Sequence, residues 1–123
     1  MQAQEPDEKR ESERAPLDIY MNKFILGIPY LTRASDISEQ GLGLAQLLEP
    51  SSAERRVGLQ FQLPGFDEVI YAEGEVVREW GDEAMPRSGI RFLRLTERHR
   101  RMIDAYVQDL QSLQRPLESR ATS

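Results

Sequence analysis

Residues 88–107, SGIRFLRLTERHRRMIDAYV, contain the change of hydrophobic period that decides the fold. In the first part Ile90 and Phe92 alternate with other residues, as expected for a half-buried strand. Beyond Thr96, a good N-cap, apolar residues recur at helical spacing. These residues are Met102, Ile103, Tyr106, Val107, Leu110 and Leu113. The sequence therefore predicts an amphipathic helix over residues 96–114 that packs its apolar side on an open end of a sheet.

The residues before this stretch favour short strands. The clearest alternation is that of Val57, Leu59, Phe61 and Leu63, after which Pro64-Gly65 marks a turn. Further strand-like segments cover residues 17–22, 24–35, 41–48, 68–80 and 89–95. Adjacent Val76 and Val77 disturb the period of two and predict a bulge. Strands at such regular spacing suggest a small antiparallel barrel or sandwich.

The composition predicts one domain. The chain has 123 residues, of which 39% are hydrophobic and 30% charged, so there is enough apolar material for a single core. Residues 1–16 and 115–123 are mostly polar or charged and cannot bury enough surface to offset the entropy of ordering. We therefore expect a flexible N-terminal arm over residues 1–16, a folded domain over residues 17–114 and a disordered tail over residues 115–123.

The composition also excludes several classes of function. Without Cys and with His99 as the only histidine, a thiol nucleophile, a Cys-based zinc site and a Ser-His-Asp hydrolase are poor candidates. The longest apolar run, residues 24–31, is far shorter than the roughly 20 residues that span a membrane, and no signal segment opens the chain. The net charge of −5 argues against bulk binding of DNA or RNA. We expect a cytoplasmic, non-enzymatic protein without metal, cofactor or membrane insertion.

One motif with possible chemistry lies in the N-terminal arm. Arg10 and Arg14 form an Arg-x-x-x-Arg pattern, and Lys9 precedes it. Taken alone, such a pattern is usually a solvated run of charges. The guanidinium fork can nevertheless bind phosphate oxygens, or the O6/N7 edge of guanine, with two hydrogen bonds. Two such groups on an arm are therefore candidates for closing over an anionic guanine ligand.

A second motif, Asp36-Ile37-Ser38-Glu39-Gln40-Gly41, joins two predicted strands. Asp, Ser and Gly are common turn residues, so an ordinary connection is the simplest interpretation. In a binding site, Asp36 would accept hydrogen bonds from N1–H and N2–H of guanine, and Ser38 would bond a base or phosphate. Gly41 would let the backbone come close to the ligand.

The two motifs in this order, Arg-x-x-x-Arg and then Asp-x-Ser-x-x-Gly, resemble those that define the PilZ domain family. The resemblance extends to ERAPLDIYM (residues 13–21), GEVVREW (residues 74–80) and the strand and helix of residues 88–107, and it spans roughly residues 9–110. It implies a six-stranded antiparallel barrel of the PilZ type, followed by a C-terminal helix. It also implies a non-catalytic receptor for the bacterial second messenger cyclic di-GMP.

The resemblance also implies roles for individual residues. Arg10 and Arg14 would hold phosphate and guanine from the arm, and Asp36, Ser38 and Gly41 would bind the nucleotide from the barrel. Lys9, as a basic residue before the first Arg, favours a stacked dimer of the nucleotide. Arg78 would face the ligand and stack on a base, or else be an exposed strand residue paired with a Glu. Arg33 and Trp80 are predicted to have no ligand role, with Trp80 packing at a strand end.

We therefore expect a cyclic di-GMP receptor whose arm becomes ordered on binding and which then signals to a protein partner. The alternative is a PilZ-like interaction module that does not bind nucleotide. Glu11, Glu13 and Glu39 support that alternative, because their carboxylates would repel phosphates. An enzyme is the least favoured possibility, because the sequence lacks a Gly-rich phosphate loop and a paired-carboxylate site.

Overall fold

The computed structural model describes residues 13–50 and 52–114. They form six strands and a helix: β1 Ala15–Ile25, β2 Ile28–Ile37, β3 Gly41–Gln46, β4 Arg56–Phe61, β5 Ile70–Gly81, β6 Pro86–Leu95 and α1 Glu97–Gln114. The strands pair antiparallel in the order β1-β2-β3-β6-β5-β4, and β4 pairs back with β1 to close a barrel. The prediction of a six-stranded antiparallel barrel with a C-terminal helix is confirmed.

The core lies inside this barrel and is built by the alternation of side chains along each strand. All four apolar residues of the predicted pattern around β4 are buried: Val57, Leu59, Phe61 and Leu63. The ring of Phe61 stacks on that of Phe92 at 6.4 Å between centroids. Leu42 and Leu44 of β3 are fully buried on the same interior side. Strands with one apolar face account for the closed shape, because closure buries that face without leaving an open sheet edge.

The boundary between the first two strands differs from the prediction. The sequence predicted that the second strand covers residues 24–35 and is entered through an irregular stretch with Gly27 and Pro29. In the structure β1 extends to Ile25, Leu26 and Gly27 form a tight turn, and β2 begins at Ile28. Their φ angles of 51° and 82° match the two-residue hairpin turn in which both central residues have positive φ. The pattern failed at Lys23, which is charged yet buried, so the inward face of β1 is not uniformly apolar.

The structure also bears on the chain ends. β1 begins at Ala15, inside the range of residues 1–16 that was predicted as an arm. Lys9, Arg10 and the predicted tail over residues 115–123 lie outside the described residues. Whether the ends of the chain behave as an arm and a tail therefore stays a prediction.

Helix α1 closes one end of the barrel. The hydroxyl of Thr96 accepts a hydrogen bond from the backbone N–H of His99 at 3.1 Å, which confirms the predicted N-cap. Ile103 and Val107 are buried in the core, and the Tyr106 hydroxyl donates to a backbone carbonyl at the start of β1. This helix, the one within the described ranges, lacks the long apolar stretch that crossing a bilayer requires.

The other end of the barrel contains a buried ion pair. Lys23, near the end of β1, donates to Glu49 of the β3–β4 connection at 2.7 Å, and both side chains are almost completely buried. The connection is thereby held against the barrel end opposite α1. One end of the barrel is thus closed mainly by apolar packing, and the other includes a charged contact.

Candidate functional site

A row of outward-facing positions crosses four strands of the barrel. Asp36 on β2 pairs with Gly43 on β3, Gly43 with Gly89 on β6, and Gly89 with Arg78 on β5. Since neighbouring strands lie about 4.8 Å apart, the row is about 14 Å long. Its two central positions have no side chain: Gly43 is buried under the Asp36 carboxylate, and the backbone of Gly89 is partly exposed beside Arg78.

This row lies in a surface cavity of about 630 Å³. The cavity is lined by the four residues of the row together with Arg14, Gln40, Gly41, Leu42, Val77, Trp80, Ile90 and Arg91. Three of the predicted site residues that the structure describes, and the possible contact Arg78, therefore line one cavity. Ser38 is not among its lining residues.

The two sequence motifs meet through an ion pair between Arg14 and Asp36. The Arg14 Nε donates to Asp36 Oδ1 at 2.7 Å, and the two side chains remain 47% and 35% exposed. Gly43 makes room for this arrangement, because a Cβ on Gly43 would lie only 2.6 Å from Asp36 Oδ2. A cation and an acceptor are thereby held together at the edge of the cavity.

Ser38 and Gly41 shape the connection between β2 and β3. The Ser38 hydroxyl is completely buried and accepts a hydrogen bond from the Gln40 N–H at 3.1 Å, and the Ser38 N–H donates to the Gly41 carbonyl at 2.9 Å. A Cβ on Gly41 would lie 1.9 Å from the carbonyl oxygen of Ile90. Both residues therefore have a structural reason for their identity, and their direct contact with a ligand stays a prediction.

Arg78 reaches the outer surface because of the predicted bulge in β5. Val76 pairs with Ile90 and Arg78 with Gly89, so the bulge at Val77 is confirmed. With strict alternation Arg78 would share the inward side of Val76, and the extra residue turns it outward. Its guanidinium lies 4.2 Å from the ring centroid of Trp80, a cation–π contact, and forms no ion pair within the described part of the chain.

Sequence analysis missed several residues that line the cavity: Gly43, Gly89, Trp80, Gln40 and Arg91. Trp80 was assigned to packing, although its position two residues after Arg78 signals the same strand face. Arg91 also lines the cavity, and its guanidinium donates to Glu75 Oε1 at 2.7 Å in an ion pair. No local sequence pattern indicates that Gly43 and Gly89 belong to a site, because only the pairing of β3 with β6 places them side by side.

Arg33 lies outside the cavity, in line with its predicted lack of a ligand role. Its guanidinium donates to Asp18 Oδ1 at 2.8 Å. This hydrogen bond, followed by the charge of the guanidinium, lowers the pKa of the Asp18 carboxyl and raises the pKa of Arg33. Arg33 is thus the same residue type as Arg14, in a similar exposed ion pair, but away from the cavity.

The arrangement suits a ligand that combines planar rings with anionic groups. Asp36 is an acceptor for ring N–H groups, Arg14 and Arg91 are donors to anions, and Trp80 with Arg78 forms a flat surface for stacking. Within residues 13–50 and 52–114, no group of three or more Asp, Glu or His side chains is placed to hold a metal ion.

The sequence model of the PilZ domain matches residues 8–109, which is most of the chain. The chain belongs to the PilZ domain family. The match includes both motifs and every strand of the barrel, so the resemblance found in the sequence is confirmed. Members of this family are receptors that bind cyclic di-GMP as a ligand, not as a cofactor.

Solved structures with the same fold come from two bacteria. The inhibitor of motility MotI (DgrA) from Bacillus subtilis superposes with a TM-score of 0.75 at 16% identity, covering 86% of this chain and 53% of MotI. The PilZ domain of YcgR from Escherichia coli, solved with c-di-GMP, gives a TM-score of 0.62 at 16% identity, covering 90% and 98%. At such low identity these likenesses establish the shared fold alone.

A longer structure of YcgR in complex with c-di-GMP gives a TM-score of 0.66, also at 16% identity, and covers 92% of this PilZ chain. The chain spans about half the length of MotI and of this YcgR structure. A sequence comparison with curated proteins finds no match.

Proposed function

We propose that this PilZ protein is a cyclic di-GMP receptor that signals to a protein partner in the bacterial cytoplasm. The observation that carries the proposal is the Arg14–Asp36 contact at the edge of the bare cavity, because it joins one residue from each PilZ motif. The c-di-GMP found in the structures of YcgR supports this choice of ligand. The site offers binding groups, and the proposed role is not enzymatic.

Each side chain has a proposed role in recognition. Asp36 accepts hydrogen bonds from N1–H and N2–H of a guanine base, which adenine cannot replace because it lacks both donors. Arg14, with Arg10 from the arm, binds phosphate oxygens and a guanine edge. Arg78 stacks on a base, and Ser38 and Gly41 hold the β2–β3 connection against the ligand. Each role gives a separate expected loss of affinity.

Binding requires an exchange of partners at Arg14. In the unliganded protein its guanidinium is paired with Asp36, and an exposed pair of this kind contributes about 0–1 kcal/mol. Charge-assisted bonds to the ligand are each worth roughly 1.5–3 kcal/mol, so the exchange favours the ligand. We propose that it also holds the N-terminal arm against the barrel and creates the surface that a protein partner recognises.

Lys9 leads us to propose that the ligand is a stacked dimer of cyclic di-GMP. A basic residue before Arg10 adds positive charge where a second nucleotide would bring two more phosphates. The expected stoichiometry is therefore two nucleotides per chain. Binding of one nucleotide per chain would contradict the stacked dimer but not the receptor function.

The alternative is a PilZ interaction module that does not respond to nucleotide. One observation favours it, since the Arg14–Asp36 contact already satisfies both groups and would then be a permanent structural pair. The two possibilities differ in whether cyclic di-GMP shifts the amide resonances of Asp36, Ser38 and Gly41. No shift at high ligand concentration would favour the interaction module.

Isothermal titration calorimetry with the full chain tests the receptor function. We expect cyclic di-GMP to bind and cyclic di-AMP to bind much more weakly. Arg14→Ala should reduce affinity for cyclic di-GMP at least tenfold, which corresponds to the loss of about 1.4 kcal/mol, or roughly one charge-assisted bond.

Arg33→Ala is the matched control, because Arg33 is also in an exposed ion pair but lies outside the cavity. Its affinity for cyclic di-GMP should equal that of the unchanged protein. Equal affinities for Arg14→Ala and the unchanged protein would contradict the proposed role of Arg14. Absence of binding by the unchanged protein would contradict the receptor function itself.

A further inference from the structure

Gly89 is the one glycine of this chain for which the fold gives no reason. Three of the eight glycines have positive φ angles: Gly27, Gly65 and Gly81. Four others would place a Cβ within 3.2 Å of a neighbouring atom: Gly41, Gly43, Gly58 and Gly74. At Gly89 the nearest atoms to a Cβ would be Trp80 Cζ3 at 3.7 Å and Arg78 Cβ at 3.8 Å, which are ordinary contacts. The protein has room for a side chain here.

A glycine inside a strand normally weakens the strand, because it has no side chain to pack and loses more entropy on folding. Such glycines often mark a bulge or a place where a ligand comes close to the backbone. The bulge opposite Gly89 does not require it, since the extra residue is Val77 on β5 and Gly89 has no positive φ. Close approach of a ligand is the explanation that remains.

Gly89 lies where such a ligand would be in contact with the protein. It lines the cavity and is paired with Gly43 on one side and with Arg78 on the other. Gly43 is buried under the Asp36 carboxylate, so the partly exposed backbone of Gly89 lies between that carboxylate and the Trp80 indole. A flat floor with a hydrogen-bond acceptor at one end and an aromatic ring at the other fits a planar ring that carries N–H donors.

We propose that Gly89 is a ligand-contacting residue, whose backbone forms a floor on which one nucleobase lies flat beside the Asp36 carboxylate. This inference rests on the proposed receptor function and adds the orientation of the base. The ring edge meets Asp36, and the ring lies close enough to Trp80 to change its fluorescence. A methyl group at position 89 would rise from the floor and lift the base away from the sheet, while leaving the barrel itself undisturbed.

The test compares Gly89→Ala and Gly89→Val with the unchanged protein, using cyclic di-GMP as the probe. Calorimetry should show at least a tenfold loss of affinity for Gly89→Ala and a larger loss for Gly89→Val. Thermal unfolding of Gly89→Ala should be unchanged or occur at a higher temperature. Trp80 is the only tryptophan, so its fluorescence reports on the site. Cyclic di-GMP should quench it in the unchanged protein, and much less in Gly89→Ala at the same ligand concentration.

Gly58→Ala is the matched control, because Gly58 is also within a strand but lies outside the cavity. Its affinity for cyclic di-GMP and its Trp80 emission without ligand should both equal those of the unchanged protein. Binding of Gly89→Ala within threefold of the unchanged protein would overturn the inference and leave the receptor function intact. A lower unfolding temperature for Gly89→Ala would overturn it as well, because the glycine would then serve the fold. If the unchanged protein does not bind, both proposals fail.

Discussion

Two ion pairs of this protein have the same length and very different surroundings. Lys23 and Glu49 are 2.7 Å apart with side chains that are 3% and 4% exposed, at the barrel end opposite the helix. Arg14 and Asp36 are also 2.7 Å apart, but are 47% and 35% exposed at the edge of the cavity. The comparison shows that burial, and not distance, decides what an ion pair can do.

A buried pair cannot exchange partners without leaving a charge in a poorly polarisable interior, so its natural role is structural. An exposed pair contributes little to stability because water and salt screen it, so either partner is free to turn to a ligand at small cost. The protein thus has one ion pair that holds a loop against the barrel and another that can open. The following changes test that division, beginning with the largest effect.

The largest effect is expected for Lys23→Met. It removes one member of the buried pair and leaves the Glu49 carboxylate uncompensated, which should lower the free energy of unfolding by about 3–5 kcal/mol. Denaturation with urea at neutral pH measures this loss.

The double change Lys23→Met with Glu49→Leu is the control, since replacing both charges by apolar groups of similar size is often neutral or stabilising. It should recover most of the lost stability. The second oxygen of Glu49, Oε1, is buried without a hydrogen-bond partner among the described residues, which also favours recovery. A loss below 1 kcal/mol for the single change would contradict a structural role for the pair.

An intermediate effect, visible only in acid, is expected for Glu68. Hydrogen bonds from Arg98 first and His99 second lower the pKa of Glu68 below its ordinary value of 4.5. The stabilisation is therefore present above about pH 4.5 and is lost as the pH falls through the lower pKa of the folded state. Thermal unfolding should show a smaller drop between pH 7 and pH 3 in Glu68→Gln than in the unchanged protein.

Asp18→Asn is a useful comparison for this measurement, because Arg33 lowers the pKa of Asp18 in the same direction through a contact between β1 and β2. The two carboxylates should each account for part of the acid sensitivity. If Glu68→Gln is as sensitive to acid as the unchanged protein, the contact between the β4–β5 connection and α1 has no role in stability.

The smallest effect on stability is expected for Asp36→Asn. It replaces the exposed pair with Arg14 by a neutral contact, so the free energy of unfolding should fall by less than about 1 kcal/mol. Urea denaturation, run beside the Lys23 variants, gives a direct comparison of the two pairs. A loss above 2 kcal/mol would mean that Asp36 supports the barrel, and the division between a structural and an exchangeable pair would not hold.

Much of the fold could be predicted because it depends on neighbours in the chain. The alternation around Leu59, the bulge at Val77 and the N-cap at Thr96 all follow from a few consecutive residues. The predicted end of the first strand was wrong, because the charged residue Lys23 interrupts the apolar pattern of β1. A buried lysine is compatible with the interior only when a partner such as Glu49 reaches it, and no local pattern reveals that partner.

Some residues of the candidate site could likewise be predicted from the sequence, and others could not. Arg14 and Asp36 belong to motifs that can be found in the sequence, and their side chains do meet. Gly43, Gly89 and Trp80 are on three different strands, and their common cavity depends on how those strands pair. A binding role for a glycine is especially hard to predict from the sequence, because glycine has no side-chain functional group.

The sequence by itself determined the type and order of the elements, the family motifs and the residues available for binding. These depend on hydrophobic period, capping and turn chemistry, which act over a few residues. Only the tertiary structure decided which residues are buried and which lie side by side on the barrel surface. Pairing register brings together residues distant in the chain, such as Asp36, Gly43, Gly89 and Arg78. The fold also encloses one ion pair in the barrel end and leaves the other exposed at the cavity.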